Sequence, residues 1–568
     1  MKRILSNVVI AALGALVVSC AQTPRIGPSS PAQAASATVD VKIIAFNDFH
    51  GNLRTPSLRV AVPDASRSTG MRFEPAGGIE QFSALVQSLK AKNRNVAVVS
   101  AGDLVGATPL LSSFFKDEPT IEAMNLVGVD FHAVGNHEFD YGVTHLKRLR
   151  NGGCKLNEKS KQPDCDNRPP YAGARFEFLA ANVIESATGR TLFPPYAVKE
   201  FDGVKIGFIG LTTRTTPSIV RPGGTAGFAF KEEAETINAL VPVLKAQGIE
   251  AIVVLMHEGG VQTGTINQCV DFKGRGREIV ENLDPAIQLV VTAHTHNYYI
   301  CEVGNVLVTE AGSFGTLVTE IDLVLDRSTR KIIAKKAVNL IVETNGPKDA
   351  ALSALVDRYT VLAAPLENRV IGKLTREVSA VVGPSGESTF GNLIADAHLF
   401  GTAAPDKGGA VIAFNNPDSH RPPIIPDADG AVTYGELFKA QPFQNDLIVM
   451  TLTGRQLRNL LEQQFNPRDR PGLMGVSKGF SYTWDNAKPP GEKIAPGSMK
   501  LNGTPVDPAL QYRVTANRYL AGGSGGMGVF LEGTERQVSV LDLEALVAMI
   551  SAGSPYAPPS VGRLVRLN

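Results

Sequence analysis

Val41-Lys42-Ile43-Ile44-Ala45-Phe46 runs without a break into Asn47-Asp48-Phe49-His50-Gly51, an apolar stretch followed at once by a carboxylate and an imidazole. The same order recurs along the first half of the chain. Residues 96–99 lead to Ser100-Ala101-Gly102-Asp103, and 131–134 lead to Gly135-Asn136-His137-Glu138-Phe139-Asp140. Further on, 251–255 lead to Met256-His257-Glu258 and 287–291 to Ala293-His294-Thr295-His296. Short apolar runs of this kind, 204–209 included, read as buried strands, and the stretches 79–90 and 231–246 between them carry helical periodicity. The alternation predicts a layered α/β domain whose sheet is covered by helices on both faces. In an open sheet the carboxyl ends of the strands form the ligand crevice, so these polar clusters should converge on one edge.

The residue types suggest what gathers there. Imidazoles, carboxylates and an amide oxygen make an N/O donor set suited to Zn, Mn, Co or Fe, without the thiolates of most structural zinc sites. Asp48 and His50 are two apart, as are His294 and His296, so each pair should present both donors on one side of an extended segment. Asp103 is the carboxylate best placed to bridge two ions. Two divalent ions about 3.5–4 Å apart clamp the attacking and leaving oxygens of an in-line displacement at phosphorus. His137 directly follows a ligand-type residue and so lies beside the ions, and Asp140, three residues on, can accept its other ring proton. A single D-x-H or H-x-H more often marks a turn or a satisfied core histidine; the ordered set, each member at a strand end, points to a metal site. His132, His145, His398 and His420 belong to no such motif and read as structural or exposed. Glu138 reads as a supporting residue.

The chain has 568 residues, enough for about two to four structural units. Lys+Arg 56 against Asp+Glu 55 leaves a net charge of +1, which argues against a binder of nucleic acid polymers. Residues 1–19 read as a signal peptide too short for a membrane span. Val17-Val18-Ser19-Cys20 resembles a bacterial lipoprotein signal, which implies lipidation of Cys20 and a tethered protein; the alternative is an ordinary secretory signal cut after Ala35. Residues 20–38, rich in Ala, Ser, Pro and Gln, read as a flexible tether. An exported protein tends to pair its cysteines, and of the three connectivities open to the remaining four, Cys154 with Cys165 and Cys269 with Cys301 is expected. The layered domain should span 39–342. A helix at 349–362, broken by Pro365, lies in a connector at 343–369, and a smaller α/β unit follows over 370–568. That unit holds helices at 392–399 and 541–550, the segment 432–461, and strands at 480–484 and 512–516.

At FNDFHG, SAGDLVGATPL, AVGNHEFDYG, VLMHEGG and AHTH the chain resembles the bacterial periplasmic 5′-nucleotidase family, which includes UDP-sugar hydrolases, 2′,3′-cyclic phosphodiesterases and animal ecto-5′-nucleotidases. YGELFKAQPFQNDLIVMTLTGRQL and YRVTANRYLAGGSGG resemble its C-terminal substrate-binding domain. The resemblance implies one metal on Asp48, His50, Asp103 and His296 and a second on Asp103, Asn136, His257 and His294. It makes His137 and Asp140 the catalytic dyad and stacks a base between Phe443 and Tyr519, with Asn445 at the base edge. Arg376 and Arg421 match the arginines that would hold phosphate. Departures fall on substrate recognition: Asn415-Asn416-Pro417-Asp418-Ser419-His420-Arg421 replaces a Gly-Gly-Gly-Ile-Arg-like loop, and Ser524 stands where a carboxylate would hold ribose. No second arginine accompanies Arg376 before Gly391-Asn392-Leu393. Gly523-Ser524-Gly525-Gly526-Met527-Gly528 fits G-x-G-x-x-G but leads into no clear helix, so a dinucleotide site is not expected.

The expected function is therefore metal-dependent hydrolysis of nucleoside 5′-monophosphates, with other phosphate esters or nucleotide diphosphate derivatives as further substrates, in the periplasm and lipid-anchored to the outer membrane. The alternatives are a 2′,3′-cyclic nucleotide phosphodiesterase or related ester hydrolase on the same scaffold, or a non-catalytic nucleotide-binding lipoprotein. A pure binding protein has no need of the His137–Asp140 pair.

Overall fold

The structure is a computed structural model that describes residues 36–67, 70–156, 163–165, 170–220, 223–417, 423–443, 445–465 and 473–568. Cys20, His420 and Arg421 lie outside the described residues, as do residues 1–35 of the leader and tether. The strand Thr38–Phe46 shows how the first layer is built. Val39, Val41, Ile43 and Ala45 are buried in one apolar core, while Ile44 and Phe46 are buried in another on the opposite side. A strand turns alternate side chains to opposite faces, so this one is apolar from Ile43 to Phe46, where both of its faces are covered.

Thr38–Phe46 pairs antiparallel with Leu317–Asp326 and parallel with Val96–Ser100. They belong to a six-stranded sheet in the order Ile332–Ile341, Leu317–Asp326, Thr38–Phe46, Val96–Ser100, Phe131–Ala133, Glu177–Leu179. A second six-stranded sheet runs Tyr196–Phe201, Val204–Thr212, Ala251–His257, Leu289–Thr292, Val306–Ala311, Tyr298–Val303. Their inner faces share one core, in which Val41, Ile43 and Val99 of the first sheet meet Ile206, Val253 and Val291 of the second. Helices Ile79–Ala91, Glu118–Val127 and Gly142–Asn151 cover the outer face of the first sheet. Glu233–Ala246 and Arg275–Val280 cover that of the second.

This corrects the expectation of one sheet with helices on both faces. A strand buried on both sides has the same apolar pattern whether its second face meets a helix or another sheet, so the pattern alone does not distinguish them. The stretch 172–199 supplies Glu177–Leu179 to the first sheet and Tyr196–Phe201 to the second.

Helix Ala350–Glu367 begins where the Asp349 side chain accepts the backbone N–H groups of Ala351 and Leu352. It runs through Pro365, where a break was expected. Pro365 lies in the last turn, and the carbonyl it leaves unpaired belongs to Val361, on the exposed side where water can take it.

Beyond this helix a five-stranded sheet runs Gly475–Val476, Ile412–Asn415, Gln511–Asn517, Asp446–Thr453, Thr534–Leu541. The segment 432–461 divides into two strand-to-helix units, each opened by a reciprocal cap. Thr433 with Glu436 starts helix Tyr434–Ala440, and Thr453 with Gln456 starts Gly454–Gln463. Leu110, on the turn after Asp103, is buried with Leu374, Phe390, Leu437 and Phe438 of this region. Cys154–Cys165 and Cys269–Cys301 both form disulfides. Among the described residues, no helix is long and apolar enough to cross a membrane.

Candidate metal site

Strands of both sheets deliver their carboxyl ends to one place. Asp48 and His50 follow Thr38–Phe46, Asp103 follows Val96–Ser100, and Asn136 and His137 follow Phe131–Ala133. From the second sheet, His257 ends Ala251–His257, and His294 and His296 follow Leu289–Thr292. The donors do not converge by extended alternation, as the i, i+2 spacing suggested. Asp48, His50, Asp103, His294 and His296 have φ of 47°, 44°, 51°, 73° and 54°. Left-handed backbone is uncommon outside glycine and clusters at functional sites, where it bends the chain sharply enough to aim consecutive side chains at one point. Gly135 permits the close approach of two such turns: a Cβ there would stand 2.1 Å from Asp103 Oδ1.

Each buried carboxylate has one oxygen anchored and the other turned inward. Asp48 Oδ2 accepts the Asn47 amide at 2.8 Å and the His294 N–H at 3.0 Å, while its buried Oδ1 lies 3.3 Å from His296 Nε2 and has no hydrogen-bond partner among the described residues. Asp103 Oδ1 accepts the His137 N–H at 2.9 Å. Asp103 Oδ2 lies 3.1 Å from His257 Nε2 and 3.6 Å from His50 Nε2, between the two donor groups. The first group joins Asp48, His50 and His296, and the His50 and His296 Nε2 atoms face each other at 3.2 Å; the second joins Asp103, His257 and His294. Asn136 Oδ1 is 3.1 Å from His257 Nε2.

The Nδ1 atoms of His50 and His257 meet the Gly106 and Ala101 carbonyls at 2.8 and 3.0 Å, which leaves their Nε2 atoms as the inward donors. Burial works against a charge on His257, yet the Asp103 and Asp48 carboxylates overcome it and push its pKa up to about 10. His50, where burial prevails, is pushed down to about 4. A buried field that holds a proton on an imidazole also suits a cation, whose binding displaces that proton. The orphaned Asp48 oxygen, the facing imidazole nitrogens and the purely N/O donors fit two divalent ions, with Asp103 between them.

His137 stands beside this cluster with its ring 5.0 Å from that of His50. Its Nδ1 is 2.8 Å from Asp140 Oδ2, and its side chain is 31% exposed. Burial opposes its charge, but Asp140 and Asp103 outweigh that and raise its pKa to about 10.

Glu138, read from the sequence as a supporting residue, and Glu310, which that reading passed over, hold the loops in place. The buried Glu138 carboxylate accepts the N–H groups of Asp103, Leu104 and Gly135, and His132 Nε2 lies 3.2 Å from it. Glu310, fully buried, accepts the Thr295 hydroxyl and the Asn297 N–H, fixing the loop of His294 and His296. A signal existed for Glu310: it lies near the end of the strand Val306–Ala311 and so at the same edge.

Two family models match the chain: the calcineurin-like phosphoesterase over residues 41–298 and the 5′-nucleotidase C-terminal domain over 370–532. The chain belongs to the 5′-nucleotidase family of calcineurin-like metallophosphoesterases. It superposes on the 5′-nucleotidase precursor from Thermus thermophilus with a TM-score of 0.67 and 26% identity, over 93% of this chain and 99% of that one. Among curated relatives, endonuclease YhcR of Bacillus subtilis is 30% identical over 93% of this chain, and the cell wall protein Lmo0130 of Listeria monocytogenes is 30% identical over 88%. The chain spans 41% and 65% of their respective lengths.

In the 5′-nucleotidase C-terminal domain, the antiparallel register Leu447↔Asn517 sets Phe443 and Asn445 at the same end of the strand pair as Tyr519 and Ser524. Arg518 fastens that end with two hydrogen bonds to Asp446, at 3.0 and 2.7 Å. Gly522 abuts the Ser218 carbonyl, on the turn after Val204–Thr212, so this end of the domain adjoins the metallophosphoesterase region. Phe443, Asn445 and Ser524 are half-buried, and Tyr519 is exposed. Arg376 Nη2 donates to the carbonyls of Pro558 and Pro559, which ties it to the C-terminal tail. Gly528–Glu532 forms a short 3-10 turn rather than a dinucleotide-binding helix.

Proposed function

We propose that the chain removes phosphate from nucleoside 5′-monophosphates, with other phosphate esters and nucleotide diphosphate derivatives as secondary substrates, using two divalent ions of the Zn, Mn, Co or Fe class. Asp48, His50, Asp103 and His296 would hold one ion, and Asp103, Asn136, His257 and His294 the other. Divalent ions held there supply Lewis acidity toward the phosphoryl group and a water of lowered pKa. The observation that carries this reading is the convergence of N/O donors from two sheets on one edge, with His137 beside them and oriented by Asp140.

Asp140 fixes a proton at His137 Nδ1, which leaves Nε2 as the atom offered to the substrate. From there His137 stabilises charge developing on the phosphoryl group or the leaving oxygen. Phe443 and Tyr519 would take the base between them, with Asn445 at its edge. Arg376, and Arg421 outside the described residues, would steady phosphate.

The same scaffold suits a phosphodiesterase, a reading favoured by the relative named an endonuclease. Phosphate release from a panel of nucleoside monophosphates, 2′,3′-cyclic nucleotides and nucleotide sugars separates the two. Monophosphates as the best substrates support the proposal; turnover of cyclic nucleotides alone would replace it. The relative named a cell wall protein and the two disulfides support a site of action in the cell envelope, with Cys20 as the proposed lipid anchor in the periplasm. A mature terminus found well past Cys20 by mass spectrometry would remove the anchor.

A further inference from the structure

Phe314 is neither one of the metal-ligating residues nor part of the substrate end, yet it touches two proposed ligands. It occupies the turn between the strands Val306–Ala311 and Leu317–Asp326 with φ of 59°. That conformation is a genuine outlier for a bulky aromatic residue and persists only where the surroundings over-determine it. Here three hydrogen bonds do so. The Asn47 amide donates to the Gly312 carbonyl at 2.7 Å, the Gly312 N–H donates to the Asn297 carbonyl at 2.8 Å, and the Phe314 N–H donates to the Asp48 carbonyl at 2.7 Å. The turn is thereby pinned to the two loops that carry Asp48 and His296. Its ring stands edge-on to His296, with centroids 5.2 Å apart at 85°, and 5.7 Å from His50.

The histidines differ in what orients them. His50 and His257 each have Nδ1 on a backbone carbonyl, the usual device for fixing a ligating imidazole. Among the described residues His296 makes its polar contacts through Nε2, to His50 Nε2 and Asp48 Oδ1, and its side chain is 33% exposed. We propose that Phe314 is a positioning residue for the metal site, packing the His296 ring into its ligating orientation where His50 and His257 use a carbonyl. The inference rests on the dinuclear reading above and assigns the ring to one of its two ions.

The test is metal affinity, measured on the metal-stripped full chain by titrating Zn²⁺ or Mn²⁺ in competition with a chelating dye. Phe314→Gly removes the ring while relieving the left-handed backbone, so the stripped variant should melt no lower than wild type. It should nevertheless hold one of its two ions about tenfold or more weakly, the usual consequence of losing an outer-shell partner of a ligand. The other ion should be held as in wild type, and Phe314→Tyr should restore both. Repeating the pair in a His294→Asn background, which weakens the second group, should keep the loss at the first. Two ions bound by Phe314→Gly as tightly as by wild type would overturn the inference and leave the dinuclear reading standing. A wild-type chain that binds fewer than two ions would overturn both.

Discussion

His137 differs from the site's other four histidines in what its ring nitrogens face. His50, His257, His294 and His296 belong to the two donor groups, whereas His137 lies outside both and has Nδ1 on Asp140. A group that stands beside the donors and belongs to neither set is placed to meet the substrate. His137→Asn should therefore leave metal content near that of wild type while lowering kcat by about 10²–10⁴, the range for a lost general acid or base. Asp140→Asn, which keeps a side chain of the same shape beside Nδ1, should cost less. Metal analysis and steady-state kinetics on the same preparations check this, and metal loss in His137→Asn would reassign it as a ligand. At this scale most of the site was legible, because Asp48, His50, Asp103, Asn136, His257, His294 and His296 sit in short strings whose residue types already name the chemistry. The tie of Arg376 to the C-terminal tail was not, since the Pro558 and Pro559 carbonyls to which it donates lie 182 and 183 positions away in sequence.

Elements reveal what single residues conceal. The strands were readable because burial on both faces leaves long apolar runs, but what covers the second face leaves no local trace. The helix Thr389–Thr402 extends past the stretch 392–399 at both ends, started by the Ser388 side chain on the Gly391 N–H. On its inner side His398 is fully buried, with Nδ1 donating to the Phe414 carbonyl at 3.1 Å and Nε2 without a partner among the described residues. Burial, the larger influence, pushes its pKa down to about 4. The unfolded chain takes up this proton near pH 6.5 and the folded one only near pH 4, so the contribution to stability is complete above pH 6.5 and falls as pH drops through that window. The loss amounts to about 3 kcal/mol. Denaturant unfolding between about pH 7.5 and 4 should show His398→Leu losing less stability on acidification than wild type by about that amount. Parallel pH profiles for the two proteins would contradict it.

The whole molecule places a metal edge built by two sheets beside a separate sheet that bears Phe443, Asn445, Tyr519 and Ser524. Leu110 joins them mechanically: it follows Asp103 by seven residues and is buried with Phe390, Leu437 and Phe438. Neither the face-to-face packing of the sheets nor this contact was legible, since both depend on residues hundreds of positions apart. Substrate preference also belongs at this scale. Ser524, the residue expected at the ribose, would offer a neutral hydrogen bond where a carboxylate would make charge-assisted ones, which are roughly twice as strong. Ribo- and 2′-deoxyribonucleoside monophosphates should therefore show similar kcat/KM, and Ser524→Asp should raise the preference for the ribonucleotide. A wild-type preference for AMP over deoxy-AMP above about tenfold, or 1.4 kcal/mol, would show that another residue holds the ribose. The account as a whole depends on two ions serving one phosphoryl site. Its most direct test is to strip the full chain of metal and follow phosphate release from AMP as Mn²⁺ is added back, with bound metal counted in the same samples. Activity should be absent at the start and reach its plateau at two ions per chain; full turnover in the stripped protein would contradict the account.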